Sequence, residues 1–301
     1  MIPDLARRRV NLEQRARIVQ TIRAFFVDAG FLEVTTPQRI PVNAPEAHID
    51  PEASGEWQLH TSPELCMKRL LAAGFERIFQ LCPCWRAGER GRRHLPEFTL
   101  LEWYRLGCDY RSLMIDCRDL IQRLVPEGGL SWQGMTVDLA SPWEELEVDA
   151  AFRRYAGIGV HQALEEDRFE ELLVDRVEPH LGIERPTFLY DYPVELGALA
   201  RRKPGCPDLA ERFELYICGM ELANGFSELT DPLEQRRRFE ADIATRSSLD
   251  KSSAGMPEPF LRDLGSIDAA AGIALGVDRL VMLLLDAADI AEVVAFTPEE
   301  L

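Results

Sequence analysis

The chain has 301 residues, with 34 lysines and arginines against 51 aspartates and glutamates, for a formal net charge of −17. That length admits one large catalytic domain or two smaller ones, and the acidic balance excludes extensive nucleic-acid binding, which normally needs a basic face. Seven cysteines without framework spacing, no apolar run near the ~20 residues that span a bilayer and no signal-peptide stretch exclude a disulfide scaffold and a membrane span, and predict a reducing, cytoplasmic location.

Residues 11–29 predict an amphipathic helix, with Ile18, Ile22, Phe25, Phe26 and Ala29 at three- and four-residue spacing and Asn11 with Gln14 as a capping pair. Gly30 ends it, and a short strand over 31–35 stops at Pro37, which cannot continue a ladder. After a Pro- and Ala-rich loop, His60-Thr61-Ser62-Pro63-Glu64 leads into a helix over 65–73. Residues 78–86 and 98–105 read as an antiparallel hairpin joined by a Gly- and Arg-rich loop. Alternation puts Phe98, Leu100, Glu102 and Tyr104 on one face and Thr99, Leu101, Trp103 and Arg105 on the other. From 112 to 210 the chain reads as a mostly helical insertion, with Ser141-Pro142-Trp143-Glu144 as a helix start of cap, proline and box-closing glutamate.

Residues 213–224 form a second hairpin with its turn at Cys218-Gly219, pairing Tyr216 with Glu221 and Glu214 with Ala223. Glu214 and Glu221 then share a face as diagonal neighbours, roughly 7 to 8 Å apart. Two carboxylates that close either point at water or hold a cation between them, and oxygen ligands of this kind suit Mg²⁺ carrying substrate phosphates. Asn224-Gly225 breaks the strand and lets Glu228 turn toward the same face. Glu102 is either salt-bridged within its sheet or waits for a cationic ligand, and Arg86 is either a phosphate ligand or a surface arginine at a strand exit. Residues 270–285 supply a strand, a glycine and a helix beginning near Val277, a junction that favours anions. No linker divides the chain, so one domain over 1–301 is expected.

Together these segments resemble the three motifs of class II aminoacyl-tRNA synthetases, from about Asn11 to the C-terminus. Thr61-Ser62-Pro63-Glu64, Pro96-Glu97-Phe98-Thr99 and the run from Glu221 to Leu229 are similar to lysyl-tRNA synthetases in particular. The resemblance implies an α+β fold, with a mainly antiparallel six- to seven-stranded sheet flanked by helices. It implies that Arg86 holds the α-phosphate of ATP, Phe98 stacks on adenine and Arg279 lies toward the γ-phosphate, with Glu89, His94, Leu222 and Gly276 completing the ATP site. Glu214 and Glu221 would bind Mg²⁺. Glu64 would meet the amino group of the amino acid beside Ser62. Glu102, Tyr104 and Glu228 would surround the distal ammonium, with Asn224 nearby and Ala274 in the pocket wall.

A lysyl-tRNA synthetase carries an anticodon-binding barrel before this core, whereas here the first motif starts near residue 11, so no such domain is expected. The chain thus resembles the truncated paralogue family that joins a β-lysyl group to a lysine of elongation factor P, and Ala274, where the tRNA enzymes usually have glycine, points the same way. The implied activity is ATP-dependent activation of (R)-β-lysine or lysine and its transfer to that factor, by a homodimer joined through the first motif. The alternatives are an enzyme charging a tRNA-like acceptor and a catalytically silent binding paralogue. Two departures from the family pattern bear on the last: Gly88 interrupts the usual Arg-x-Glu after Arg86, and Leu95 replaces the asparagine that commonly follows the loop histidine. A shifted Glu89 and the arginines Arg90, Arg92 and Arg93 would compensate.

Overall fold

The computed structural model of the chain describes residues 2–252 and 255–301. Helix α1 (Ile2–Asp28) leads into strand β1 (Leu32–Glu33), and a small sheet follows from β2 (Arg39–Ile40), β3 (Ala53–Ser54) and β4 (Trp57–Leu59). Then come α2 (Glu64–Ala72), β5 (Arg77–Trp85), β6 (Glu97–Leu106) and α3 (Tyr110–Leu124). The middle of the chain holds the hairpin β7 (Gly129–Trp132) and β8 (Met135–Asp138), β9 (Glu144–Glu147), and the short helices α4 (Val148–Ala151), α5 (Val160–Glu165) and α6 (Phe169–Leu172). Strands β10 (Thr187–Pro193), β11 (Arg202–Lys203), β12 (Cys206–Ile217) and β13 (Met220–Ser227) follow. The chain closes with α7 (Pro232–Ser248), α8 (Glu258–Leu264), β14 (Ala270–Gly276) and α9 (Val277–Leu284).

The main sheet has nine strands in the order β1-β5-β6-β14-β13-β12-β10-β9, with β11 paired to β12. Only β1–β5 and β10–β9 pair in parallel. Two-residue β1 and β11, and β9, take the sheet beyond the six or seven strands expected. Its back face packs on α1, α3 and α9, where Phe26 of α1 meets the Phe79 and Trp103 rings at 4.9 and 5.0 Å. These rings are fully buried, each worth about 1.5–3 kcal/mol over its exposed state. Helices α2, α7 and α8 cover one end of the front face, around Leu71, Phe239 and Phe260.

Three local expectations fail. Helix α1 begins nine residues before Asn11, whose side chain donates to the Glu292 carbonyl rather than capping a helix. The stretch 112–210 is not mostly helical, since it contributes β7 to β11 as well as short helices. Ser141-Pro142-Trp143-Glu144 leads into strand β9, because the Ser141 hydroxyl donates to Asp138, which also accepts from the Ala140 and Ser141 amides, and so is not available as a cap. Gln133 and Gly134 both have positive φ, the geometry of a tight hairpin turn that alternation of Leu130, Trp132 and Val137 accompanies.

The turn of the second hairpin falls at Cys218 and Gly219, again both at positive φ. Tyr216 pairs with Glu221 as expected, but Glu214 pairs with Asn224 and Leu215 with Ala223. Leu222 is therefore the extra residue of a bulge. A bulge reverses the facing of every residue beyond it, so Asn224, Phe226 and Glu228 join Glu221 on the front face. No break at Asn224-Gly225 is needed, and β13 runs unbroken to Ser227.

Candidate active site

Register alone assembles the floor of the site. One row across the front face reads Gln80, Glu102, Ala274, Asn224 and Glu214 on β5, β6, β14, β13 and β12. The next row reads Ile78, Tyr104, Gly272, Phe226 and Arg212, and on the other side Cys82, Leu100 and Gly276 align. Strand β14 thus presents Gly272, Ala274 and Gly276 in alternation between two strands of larger side chains, which carves a trough down the middle of the sheet. A Cβ on Gly272 would overlap Tyr104 and Glu228. Only glycine fits there.

The trough holds two adjoining cavities. The first, about 330 Å³, is lined by Arg86, Glu89, Arg93, His94, Phe98 and Arg279, with Glu221, Leu222 and Gly276 at its edge. The second, about 270 Å³, is lined by Ser62, Glu64, Glu102, Tyr104, Phe226 and Gly272. Glu46, Arg86, Arg212, Asn224 and Ala274 border both. The expected ATP-site and amino-acid-site residues therefore sort into separate cavities that meet over Ala274. Glu214 and Glu228 stand behind the walls instead of lining them.

In the first cavity the Arg86 guanidinium lies 5.0 Å over the Phe98 ring and 3.7 Å from Glu89. Arg279, in the first turn of α9, donates to the Glu221 carbonyl at 2.9 Å and its carboxylate at 3.3 Å, and bonds His94. Burial, with Arg279 beside it, keeps the His94 imidazole below its usual range. Of the arginines expected to compensate on phosphates, Arg93 lines the cavity, whereas Arg90 pairs with Glu299 at 2.7 Å and is turned away. Leu95 is buried in the core and offers no polar group in place of an asparagine.

The second cavity is acidic, with its key side chains buried. Glu102 and Tyr104 are nearly fully buried, and the Tyr104 hydroxyl donates to Glu102 at 2.7 Å. Burial, with Glu64 nearby, pushes the Glu102 carboxyl well above its usual value. Burial also raises Glu228 to about 8, although Lys68 pulls the other way. Lys68, 1% exposed, donates to Glu64 at 2.6 Å and pairs with Glu228, and stands 5.1 Å from the Phe226 ring. Burial favours its neutral amine, but Glu228 and Glu64 more than offset this and raise its value.

Between the cavities, Arg212 donates to Glu214 and to the Leu196 carbonyl, both at 2.6 Å, and to Asn224 at 3.3 Å. Glu214 also accepts from the Tyr192 and Tyr216 hydroxyls at 2.5 and 2.7 Å. The expected pair of metal-facing acids is thus unequal: Glu214 is saturated with donors, while Glu221 faces the first cavity with Arg279 as its partner. Glu178 stands 3.2 Å from the Tyr216 hydroxyl, and burial lifts its carboxyl to about 7, with Glu221 and Glu214 contributing.

Lys68, Arg212, Glu46 and Glu178 were absent from the expected site. Two had a signal: Lys68 follows Glu64 by one helical turn, and Arg212 precedes Glu214 by the two residues that keep a strand face. Glu46, raised to about 7 by burial, and Glu178 come from irregular segments whose direction no periodicity predicts.

Residues 4–300 match the model of the tRNA synthetases class II (D, K and N) family. The chain is 42% identical to the elongation factor P–(R)-β-lysine ligase of Erwinia tasmaniensis, over 95% of this chain and 94% of that one. It is 40% identical to the protein of the same name from Proteus mirabilis and 41% to that from Salmonella paratyphi B, at the same coverage. This chain belongs to the class II synthetase family, in its elongation factor P–(R)-β-lysine ligase branch. The mainly antiparallel sheet flanked by helices is the family's fold.

Proposed function

We propose that the chain is an ATP-dependent ligase that activates (R)-β-lysine or lysine as an adenylate and transfers the acyl group to a lysine side chain of elongation factor P. The observation that carries this reading is the meeting of an arginine- and phenyl-lined cavity with a carboxylate-lined one over Arg86, Arg212, Asn224 and Ala274. Charge matching selects the amino acid. Glu64, Glu102 and Glu228 against Lys68 leave two negative charges uncompensated when all are ionised, and lysine and β-lysine each bring two ammonium groups. A dry site of that sign rejects an acidic side chain. Similarity to the elongation factor P–(R)-β-lysine ligases supplies the β-lysyl group and the acceptor.

Phe98 would stack on adenine, with Arg86 moving from the ring onto the α-phosphate and Arg279 toward the far phosphates. An oxygen of the amino-acid carboxylate forms a bond to the α-phosphorus as the bond to the pyrophosphate oxygen breaks. The arginines neutralise the developing charge, so no protein nucleophile is required. The acceptor amine then attacks the acyl carbon, the amide forms, AMP leaves with the electron pair and the amine proton passes to solvent. Mg²⁺ would be held at Glu221, which borders the first cavity where the phosphates would lie, with Glu214 beside it on the same face. Bound there, it would neutralise phosphate charge.

The test is ATP–pyrophosphate exchange with lysine, β-lysine and no amino acid, followed by intact-mass measurement of elongation factor P. Exchange that depends on a diamino acid, with a matching mass gain on the factor, is expected. No exchange with any diamino acid sinks the ligase reading, and exchange with tRNA charging but no mass gain moves the acceptor to tRNA.

A further inference from the structure

Beyond the trough, a second constellation lies under the first cavity. His60, directly after β4, meets Cys82 and Cys84, which share the front face of β5. The Sγ atoms are 3.9 Å apart, and His60 Nε2 is 3.9 Å from Cys82 Sγ and 3.8 Å from Cys84 Sγ. All three side chains are at most 5% exposed. An ion with bonds of about 2.3 Å to sulfur and about 2.0–2.1 Å to nitrogen in tetrahedral geometry sets those separations at roughly 3.8 and 3.6 Å. Every edge is met within a few tenths of an ångström.

We propose that His60, Cys82 and Cys84 form a binding site for a soft d¹⁰ metal ion of the Zn²⁺ class, with three protein ligands and one position left open. Two thiolates and an imidazole select soft ions over Mg²⁺, so this site is chemically separate from the carboxylates of the trough. Binding releases the thiol protons. His60 Nε2, now 2.8 Å from the Pro83 carbonyl, turns its lone pair to the metal while its proton moves to Nδ1. Phe98, Leu100 and Ala274 pack against the cysteines.

Occupancy would brace both walls of the trough. His60 lies two residues before Ser62, and Cys84 two before Arg86. A metal bridging them ties the segment that carries Ser62 and Glu64 to the strand that ends at Arg86. This assignment is independent of the proposed reaction, because its test reads metal and not turnover.

The full chain, reduced and stripped with chelator, is titrated with Co²⁺ while thiolate-to-cobalt charge-transfer absorption is followed, and Zn²⁺ is then added to displace it. One equivalent per chain is expected, unaltered by Cys206→Ser, which removes an exposed cysteine outside the cluster. Cys84→Ser and His60→Gln should each weaken binding by about 100-fold or more, since loss of an outer-shell partner alone costs 10- to 100-fold. If either variant fails to fold, Zn²⁺ protection of Cys82 and Cys84 from alkylation in the unaltered chain, located by peptide mass, decides in its place. Absence of the charge-transfer band, a band that survives both substitutions, or no protection of these two cysteines overturns the site.

Discussion

Replacing Gly272 with alanine places a methyl group inside van der Waals contact of Tyr104 Cδ1 and Cε1 and of Glu228 Oε1. Neither neighbour is the loose end of a flexible chain: Tyr104 is buried and bonded to Glu102, and Glu228 is buried and paired with Lys68. The backbone offers no escape, because Gly272 is locked in register with Tyr104 on one side and Phe226 on the other. Overpacking of this kind costs about 1–3 kcal/mol, and at 1.36 kcal/mol per decade that is roughly a 10- to 100-fold effect on whatever needs Tyr104 and Glu228 in place. Pyrophosphate exchange against lysine or β-lysine concentration should show the KM for the amino acid rising by that factor, with the KM for ATP unchanged. Gly225→Ala is the control. Its methyl would meet Phe213 at 2.8 Å and Ile273 at 2.9 Å, both core side chains, so it should lower Tm and leave the amino-acid KM alone. An unchanged amino-acid KM in Gly272→Ala, or an equal rise in Gly225→Ala, would refute the assignment of the ammonium pocket.

Burial holds Glu228, behind the wall, at about 8 and Glu102, in the wall, well above its usual value, and a ligand with two ammonium groups favours the ionised form of both. Lysine binding at pH 7 should therefore release protons, and affinity should climb with pH below 8 by up to about tenfold per pH unit for each proton released; calorimetry in buffers of differing ionisation enthalpy counts the protons, and a flat profile would contradict the pocket. The same raised values mean that the folded chain binds more protons than the unfolded one, so the ligand-free protein should lose stability as pH rises from about 4.5 through 8. Lys68→Met keeps the volume but takes the shared donor from Glu64 and Glu228, and a buried polar group that loses its partner costs about 1–3 kcal/mol, so denaturant titration should show a drop in unfolding free energy of that order. Arg212→Lys removes the fork that joins Glu214, Asn224 and the Leu196 carbonyl. With charged hydrogen bonds worth about 1.5–3 kcal/mol, single-turnover adenylate formation should slow by roughly 10- to 100-fold, and an unaltered rate would remove Arg212 from the junction. Sedimentation should report a homodimer, with a monomer contradicting the expected pairing through α1.

Much of the site was legible because side chains on a strand alternate with a period of two. Phe98, Leu100, Glu102 and Tyr104 fall on one face by counting alone, and Gly272, Ala274 and Gly276 do the same on β14. Counting also puts Glu214 and Glu221 on one face, though the pairing it gives is one residue out of register. Counting fails at the bulge: an unpaired Leu222 leaves no mark in composition, yet it decides which face Asn224, Phe226 and Glu228 occupy. Over 112–210 composition misleads in the same way. Ser141-Pro142-Trp143-Glu144 has the composition of a helix start, and only the competing acceptor Asp138 redirects Ser141.

By itself, then, the order of residues determined what repeats along the chain: helix and strand period, the turn at Cys218-Gly219 and the alternating small residues of β14. Tertiary structure alone decided what meets across the chain. It set Lys68 between Glu64 and Glu228, saturated Glu214 with Tyr192, Tyr216 and Arg212, and brought His60 to Cys82 and Cys84. The physical reason is range. Local dihedral preferences and side-chain period act over a few neighbouring residues, whereas the charge balance and dryness of a pocket depend on which distant strands the core forces into register.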